Sequence, residues 1–432
     1  MAYYKVEGGH PLSGSIRTTS GKNAPIALLC GALMVRGKTT FTQVAHIEEL
    51  ERLLELFESI EVKISWEDHN TLVVDATDIN IAGIDQEACG RMRISLLLMG
   101  ALAAREKQFT LYKSAGCKLG KRTIRPHMLA LQKLGIAVES TEETYEVDAT
   151  KLTGGIIIMD ESGDTATENA ILGAVLASGE TTIKFASANY MVQDLCHFLV
   201  DAGAKIEGIG TTTLKITGVE QLNDITYAAM PDPVDAMAWI SLAVTTKSPL
   251  VIERCPLDFL ELEMEKMRLM GQQFTLTNER MSTNGYFRLA DIEVVPSELT
   301  ALPDKLSCRP FPGLNIDALP LFLPMLTQAK GQTLVHDWVY ENRAIYYTEL
   351  TKLGAKVILM DPHRVLVQGP EELVGNEVVA PYAIRPAMAV LIAMIAAKGT
   401  STLRNIYPIE RAYEGIVERL TAVGAKIERL EE

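Results

Sequence analysis

Aromatic residues make up only 6% of this 432-residue sequence, and positive charge is in the minority: 41 Lys and Arg against 55 Asp and Glu, a formal net charge of −14. Few stacking rings and an acidic balance argue against a nucleic-acid partner, so any anionic ligand must be drawn by local clusters of cations. Cysteine is scarce. The six, Cys30, Cys89, Cys117, Cys196, Cys255 and Cys308, form no C-x-x-C pair, which disfavours a zinc ribbon or a thioredoxin-type centre. Their dispersal suits reduced thiols. The seven histidines have no metal-ligand spacing, so no metal site is expected. No apolar run reaches the ~20 residues that a bilayer requires. The longest, near 94–104 and 386–397, read as buried helices, and Met1-Ala2-Tyr3-Tyr4-Lys5 lacks the apolar stretch of a signal peptide. These absences lead us to expect a cytoplasmic chain with no membrane insertion. With 47% hydrophobic residues the chain is not disordered, and its length suggests two domains of about 200 residues each.

What the sequence does have is a repeat. An apolar helix is followed by a Gly or Lys turn, a short strand, a second helix that closes near Gly, and another strand. The apolar helices are expected near 24–35, 94–104, 169–177, 236–244, 318–326 and 386–397. The second helices close at Ser59, Gly135, Gly203, Gly271, Gly354 and Gly424, where a left-handed residue would terminate a helix. The period of roughly 70 residues is too long for ankyrin or tetratricopeptide units. A helix that is hydrophobic all round must be buried all round, whereas the second helices, such as 48–58 and 413–423, are amphipathic. The pattern predicts an α/β protein with apolar helices inside and sheets outside, the reverse of a conventional barrel. Six units divide into two domains of three, with a boundary near Pro231-Asp232-Pro233.

Helix N-termini carry roughly half a positive charge and free N–H groups. If the buried helices of each domain run parallel, these ends gather, and two facing domains would form a cleft suited to anions. Cations recur at this phase: Lys22 before Ala24, Arg91 and Arg93 before the second apolar helix, and Arg385 before Pro386. The plainer reading of each is a solvated surface charge; recurrence at one phase favours a ligand site.

The second repeat carries an insertion. Ser114-Ala115-Gly116-Cys117-Lys118-Leu119-Gly120-Lys121-Arg122 exceeds the sibling connectors by roughly five residues. Flanking cations lower a thiol's pKa, so Cys117 is a candidate acid, base or nucleophile, the alternative being a tolerated surface cysteine. The other five cysteines sit in apolar or helical contexts and read as core. Asp317, at the end of Arg309-Pro-Phe-Pro-Gly-Leu-Asn-Ile-Asp317, is either a helix cap or a general base on a Pro-rich loop. Glu341 and Arg343 could be a structural pair. Arg411, at the same phase one repeat later, has no apolar role and is a candidate ligand. Gly208-Ile-Gly-Thr-Thr lacks G-x-G-x-x-G and reads as a hairpin turn.

Taken together, Thr19-Ser20-Gly21-Lys22-Asn23-Ala24, the Gly116-Cys117-x-x-Gly120-x-Arg122 loop, Ala166-Thr167-Glu168-Asn169, Pro231-Asp232, Pro312-Gly313 with Asp317, Tyr340-Glu341-Asn342-Arg343 and Ile409-Glu410-Arg411-x-Tyr413-Glu414 resemble the enolpyruvyl transferase family. The Cys loop favours its UDP-N-acetylglucosamine 1-carboxyvinyltransferase branch over the 5-enolpyruvylshikimate-3-phosphate synthases, which lack it. The resemblance covers essentially the whole chain in order. It implies two inside-out α/β barrel domains of three repeats each. One spans 22–230 and carries the Cys117 loop; the other combines 1–21 with 231–432.

The activity implied is transfer of the enolpyruvyl group of phosphoenolpyruvate to the 3-hydroxyl of UDP-N-acetylglucosamine with release of phosphate, which opens peptidoglycan precursor synthesis in the cell wall. Such chemistry needs an acid for carbon and a base for the hydroxyl. By resemblance, Cys117 is the proton donor and fosfomycin target, and Asp317 the base. Lys22, Arg122 and Arg411 surround phosphate and carboxylate, where clustered donors stabilise developing charge. Asn23, Arg93, Thr123, Ile124, Arg125, Val339 and Arg385 match substrate contacts. No cofactor or metal is implied, the partners are phosphoenolpyruvate and a uridine-nucleotide sugar, and the chain is expected to be a monomer.

Some positions depart from the family pattern. Thr123-Ile124-Arg125-Pro126-His127 stands where Pro-x-Asp-x-His is usual, Asn315-Ile316-Asp317 replaces Pro-Thr-Asp, Ala383 replaces an Asp, and Gly163-Asp164 a Ser-Val pair. These leave two alternatives beside the main reading: an enolpyruvyl transferase acting on another uridine nucleotide in a secondary pathway, or a silent paralogue that binds a nucleotide sugar.

Overall fold

The structure, a computed structural model, describes residues 2–91, 93–113 and 123–431, and within these the side chains of all but 91, 93 and 94. The chain forms two compact units. Of the described residues, one combines those up to Gly21 with those from Pro231 onward; the other holds those between Lys22 and Met230. The first unit is discontinuous because the N-terminal strand Ala2–Gly8 is sewn between Gly399–Arg404 and Lys426–Glu431, antiparallel to both. Gly14–Arg17 likewise lies parallel to Leu250–Pro256.

Six sheets appear among the described residues, five of four strands and one of three. Three belong to each unit, one per repeat. The chain is α/β as expected. Among the described residues the ladders are separate sheets, and "inside-out" describes their layering around the apolar helices. Strands bury alternate residues: in Gly331–His336, Thr333 and Val335 point inward while Gln332 and Leu334 do not.

The apolar helices form the centre of each unit. Every residue from Ala24 to Ala32 is buried in Asn23–Ala32, and all thirteen residues of Pro233–Thr245 are buried. Each leucine so buried contributes about 1.5–3 kcal/mol. Glycine allows close contact within these layers. A Cβ on Gly31 would lie 2.9 Å from the Phe198 ring, and one on Gly100 would lie 2.4 Å from the Asn169 carbonyl oxygen. The outer helices are half-buried: Glu48–Ser59 buries Leu50, Leu53, Leu54, Leu56 and Phe57, and its first turn holds Glu48, Glu49 and Glu51, which favour the helix N-terminus.

The expected glycine closures hold in five repeats, where Gly135, Gly203, Gly271, Gly354 and Gly424 all have positive φ. In the first repeat Glu61 takes the left-handed conformation two residues after Ser59. Gly208 and Gly210 also have positive φ, between the antiparallel strands Lys205–Glu207 and Thr213–Thr217, as the hairpin reading required.

Several elements differ from expectation. The second apolar helix is a 3-10 turn, Arg93–Leu97, running into a short α-helix, Leu98–Leu102. The third begins at Asp164 and not near 169, because Thr167 and Asn169 are polar residues with buried partners. In the fifth repeat the outer helix Arg343–Leu353 is 3-10, and in the sixth it is split into Tyr407–Glu410 and Ile416–Ala422. Among the described residues no helix is long and apolar enough to cross a membrane.

Candidate functional site

In the unit containing both chain ends, the candidate base sits on a braced loop. Residues 309–317 connect the short strand Leu306–Ser307 to the helix Leu319–Thr327. The Gly313 N–H donates to the Pro310 carbonyl at 2.9 Å, and the Arg309 N–H to the Leu314 carbonyl at 2.9 Å. Further along, the Asn315 N–H donates to Glu263 Oε1 at 2.9 Å, and Asn315 Oδ1 accepts from the Asp317 N–H at 2.8 Å. The Asn315 carbonyl also accepts from the Leu319 N–H at 3.1 Å. Asn315 therefore satisfies the start of the helix, and Ala318 stands at the cap position. The cap reading of Asp317 is corrected.

The Asp317 carboxylate is 27% exposed and lies between two guanidiniums. Arg343 Nη1 is 3.7 Å from one carboxylate oxygen, and Arg385 Nε is 3.8 Å from the other. Both arginines are buried, so their charges are poorly screened. Arg385 is the second residue of the helix Ile384–Ala396. Its Nη2 is 3.8 Å from Asp232 Oδ2, and its guanidinium lies 5.2 Å from the Tyr413 ring centroid. Burial pushes the Tyr413 hydroxyl up to about 12, so the ring stays neutral beside the cation. Asp232 caps Pro233–Thr245 by accepting from the Val234 N–H at 2.7 Å. Gly21 is packed against Asp232: a Cβ there would lie 2.1 Å from Oδ2, and its φ is +59°. This is a physical reason for glycine in Ser20-Gly21-Lys22.

Arg343 does not pair with Glu341. Its buried partner is Asp337, reached through Nε at 2.5 Å and Nη2 at 2.8 Å. Arg411 stands at the end of the short helix Tyr407–Glu410, 5.8 Å from the Tyr407 ring centroid, and Val339 is half-buried after the strand Gly331–His336.

In the other unit, Lys22 is the cap of Asn23–Ala32, and its carbonyl accepts from the Ile26 N–H at 3.3 Å. Asn23 Nδ2 donates to the Tyr190 hydroxyl at 3.0 Å. Thr123, Ile124 and Arg125 lead into Arg125–Gln132, where Pro126 fits the first turn. The Arg125 N–H donates to Thr123 Oγ1 at 3.1 Å, and the Arg125 side chain is exposed. Asn169 ties this helix to its neighbours. Its Nδ2 meets the Leu96 carbonyl at 2.9 Å and His127 Nδ1 at 3.1 Å, while its Oδ1 accepts from the Gly100 N–H at 2.8 Å. Beside it, Glu168 is buried, and burial followed by Asp164 holds its carboxyl well above the usual range. Cys117 and Arg122 lie outside the described residues, as does the side chain of Arg93.

The structure thus gathers Asp317, Arg343 and Arg385, of which Arg343 was read only as half of a pair. It also brings in Asp232, Asp337 and Glu263, which sequence reasoning did not single out as site residues. Glu263 looked like one more charge on an amphipathic helix, yet it is 3% exposed. Burial, offset in part by the Asn315 N–H, pushes its carboxyl up to about 7. An acid raised in this way contributes stability that is whole below its ordinary value near 4.5 and is lost as pH rises through about 7. Glu263→Gln cannot ionise. Its stability relative to the parent is therefore expected to rise between pH 5 and pH 8 by on the order of 2 kcal/mol, read from paired denaturant melts. A gap that stays constant across that window would mean Glu263 does not titrate there.

Comparison with known proteins gives a consistent result. The family described as EPSP synthase (3-phosphoshikimate 1-carboxyvinyltransferase) matches residues 6–420. A UDP-N-acetylglucosamine 1-carboxyvinyltransferase of Bradyrhizobium diazoefficiens is 38% identical over 436 residues, covering 99% of this chain and 98% of that protein. One from Treponema denticola is 33% identical, covering 99% of each. Among solved structures, the enolpyruvyl transferase NikO from Streptomyces tendae superposes with a TM-score of 0.87 at 24% identity, covering 99% of both chains. An EPSP synthase from Acinetobacter baumannii gives 0.75 at 18% identity over 100% of both. These two likenesses establish the fold.

Proposed function

The chain belongs to the enolpyruvyl transferase family, and from that membership we propose that it transfers the enolpyruvyl group of phosphoenolpyruvate to the 3-hydroxyl of UDP-N-acetylglucosamine, releasing phosphate. The observation that carries the acceptor is the full-length likeness to relatives bearing that activity in their names. The hydroxyl proton passes to Asp317 as the oxygen attacks C2 of phosphoenolpyruvate, and Cys117 protonates C3. The tetrahedral ketal then returns a proton from C3 to the Cys117 thiolate as phosphate departs with the proton that Asp317 took up. Lys22, Arg122 and Arg411 offset charge on phosphate and carboxylate; Asn23, Arg93, Thr123, Ile124, Arg125, Val339 and Arg385 hold the substrates. Supporting the role of Asp317 is its setting: a carboxylate accessible enough to touch a substrate, on a loop fixed by hydrogen bonds, between two buried cations. Positioned groups of this kind lower a barrier by orientation as well as by proton transfer.

The test is phosphate release from phosphoenolpyruvate with UDP-N-acetylglucosamine, uridine diphosphate and uridine monophosphate as acceptors. Turnover is expected with the sugar nucleotide and at most a trace with the others. Release driven only by a nucleotide without the sugar would overturn the acceptor. Silence with every acceptor would overturn the transferase reading.

A further inference from the structure

We propose that Asp337 and Tyr347 are positioning residues for the reaction, acting through Arg343 on the loop that presents Asp317; this rests on the reading of Asp317 as the base. Asp337 is fully buried and Tyr347 nearly so. One carboxylate oxygen of Asp337 accepts from Arg343 Nε at 2.5 Å, the other from Arg343 Nη2 at 2.8 Å, and the Tyr347 hydroxyl donates to the first. Two parallel bonds fix the plane of a guanidinium as well as its place. Burial holds the Tyr347 hydroxyl well above its ordinary range, so it remains a donor.

Held in this way, Arg343 keeps N–H groups on Nη2 and Nη1 for the loop. Nη2 donates to the Ile316 carbonyl at 2.8 Å, and Nη1 faces the Asp317 carboxylate at 3.7 Å. The same segment grips the loop at its other end, where Trp338 Nε1 donates to the Cys308 carbonyl at 2.8 Å. Asp337 is itself anchored from behind. Its N–H donates to the His363 carbonyl at 2.8 Å, and its carbonyl meets His363 Nδ1 at 3.2 Å. A chain of short contacts therefore runs from the sheet through Asp337 to the residue before the base. Asp337 has no exposed surface and Tyr347 only 2%, and what they hold is Arg343, so their effect is on placement.

The test uses Tyr347→Phe, which removes one oxygen from a packed ring, alongside Asp337→Asn and Asp337→Glu in the full chain. Tyr347→Phe is expected to lower kcat about tenfold while KM for the acceptor stays within about twofold, as for a small misplacement of a catalytic group. Asp337→Asn should lose more, and Asp337→Glu should recover part of that loss. If Asp337→Asn fails to fold, the tyrosine variant decides alone. A folded Tyr347→Phe with kcat within twofold of the parent, or with only KM changed, overturns the proposal. Asp317→Asn is measured beside it. An active Asp317→Asn removes the premise; an inactive Asp317→Asn with a silent Tyr347→Phe removes only the positioning role.

Discussion

Asp317→Asn is expected to lower kcat by about two to four orders of magnitude while leaving the fold intact, because a general base contributes about that much and the hydrogen bonds that brace residues 315–317 do not use its carboxylate. The backbone contact from the Asp317 N–H to Asn315 survives the substitution, as do the contacts of Glu263 and Arg343 to residues 315 and 316. Neither arginine is left without a counter-charge. Arg343 keeps both oxygens of Asp337, and Arg385 keeps Asp232 at 3.8 Å. The penalty of stranding a buried cation, about 3–5 kcal/mol, is therefore avoided, and the melting temperature should move by only a few degrees. Loss of turnover in a protein that melts normally and still binds the sugar nucleotide is the expected result, measured by phosphate release and by calorimetry with the acceptor. Turnover within tenfold of the parent would exclude Asp317 as the base.

The layering was legible because all-round hydrophobicity over ten or more residues has few meanings. Residues 24–35 and 386–395 could only be buried, and they are. Closure by a left-handed residue was legible wherever glycine supplied it. It was invisible at Glu61, where a residue unsuited to positive φ is held there, and its carboxylate accepts from Asn80 Nδ2 at 2.8 Å. Buried polar networks were the chief omission. Asp337, Arg343 and Tyr347 lie within eleven residues, yet their partners at Cys308, Ile316 and His363 come from elsewhere in the chain. Linear charge patterns do not distinguish a solvated Asp from one with no exposure at all. The start of the third buried helix was misplaced for the same reason. Thr167 Oγ1 accepts from the Ser187 N–H at 3.0 Å, and Asn169 has three partners, so polar residues there mark the interior. Asp317 was legible as a cap or a base on a Pro-rich loop and Arg385 by its phase in the repeat, but the choice of Asp317 as the base came from motif resemblance, and periodicity says nothing about which Asp faces two arginines.

Cys117 should be the one cysteine that fosfomycin alkylates. An epoxide opens when a thiolate attacks carbon and the ring oxygen takes up a proton, so nothing leaves and the whole inhibitor mass adds to one peptide. The other thiols are poor competitors. Cys30, Cys89, Cys196, Cys255 and Cys308 are all buried, and burial pushes each of them up, Cys308 to about 11. A raised thiol has little thiolate at neutral pH, and a buried one offers no path of attack. By contrast, Lys118, Lys121 and Arg122 follow Cys117 in sequence, and nearby cations favour the thiolate. Cys117→Ser should abolish the adduct and lower turnover by about two to four orders of magnitude, since a serine hydroxyl is a far weaker acid at carbon. Cys117→Asp should also abolish the adduct but keep measurable turnover, because a carboxylic acid can still deliver a proton. Peptide mapping after inhibitor treatment separates the cases. An adduct on Cys89 or Cys308 would displace the assignment, and complete inactivity of Cys117→Asp would mean that the thiol does more than donate a proton.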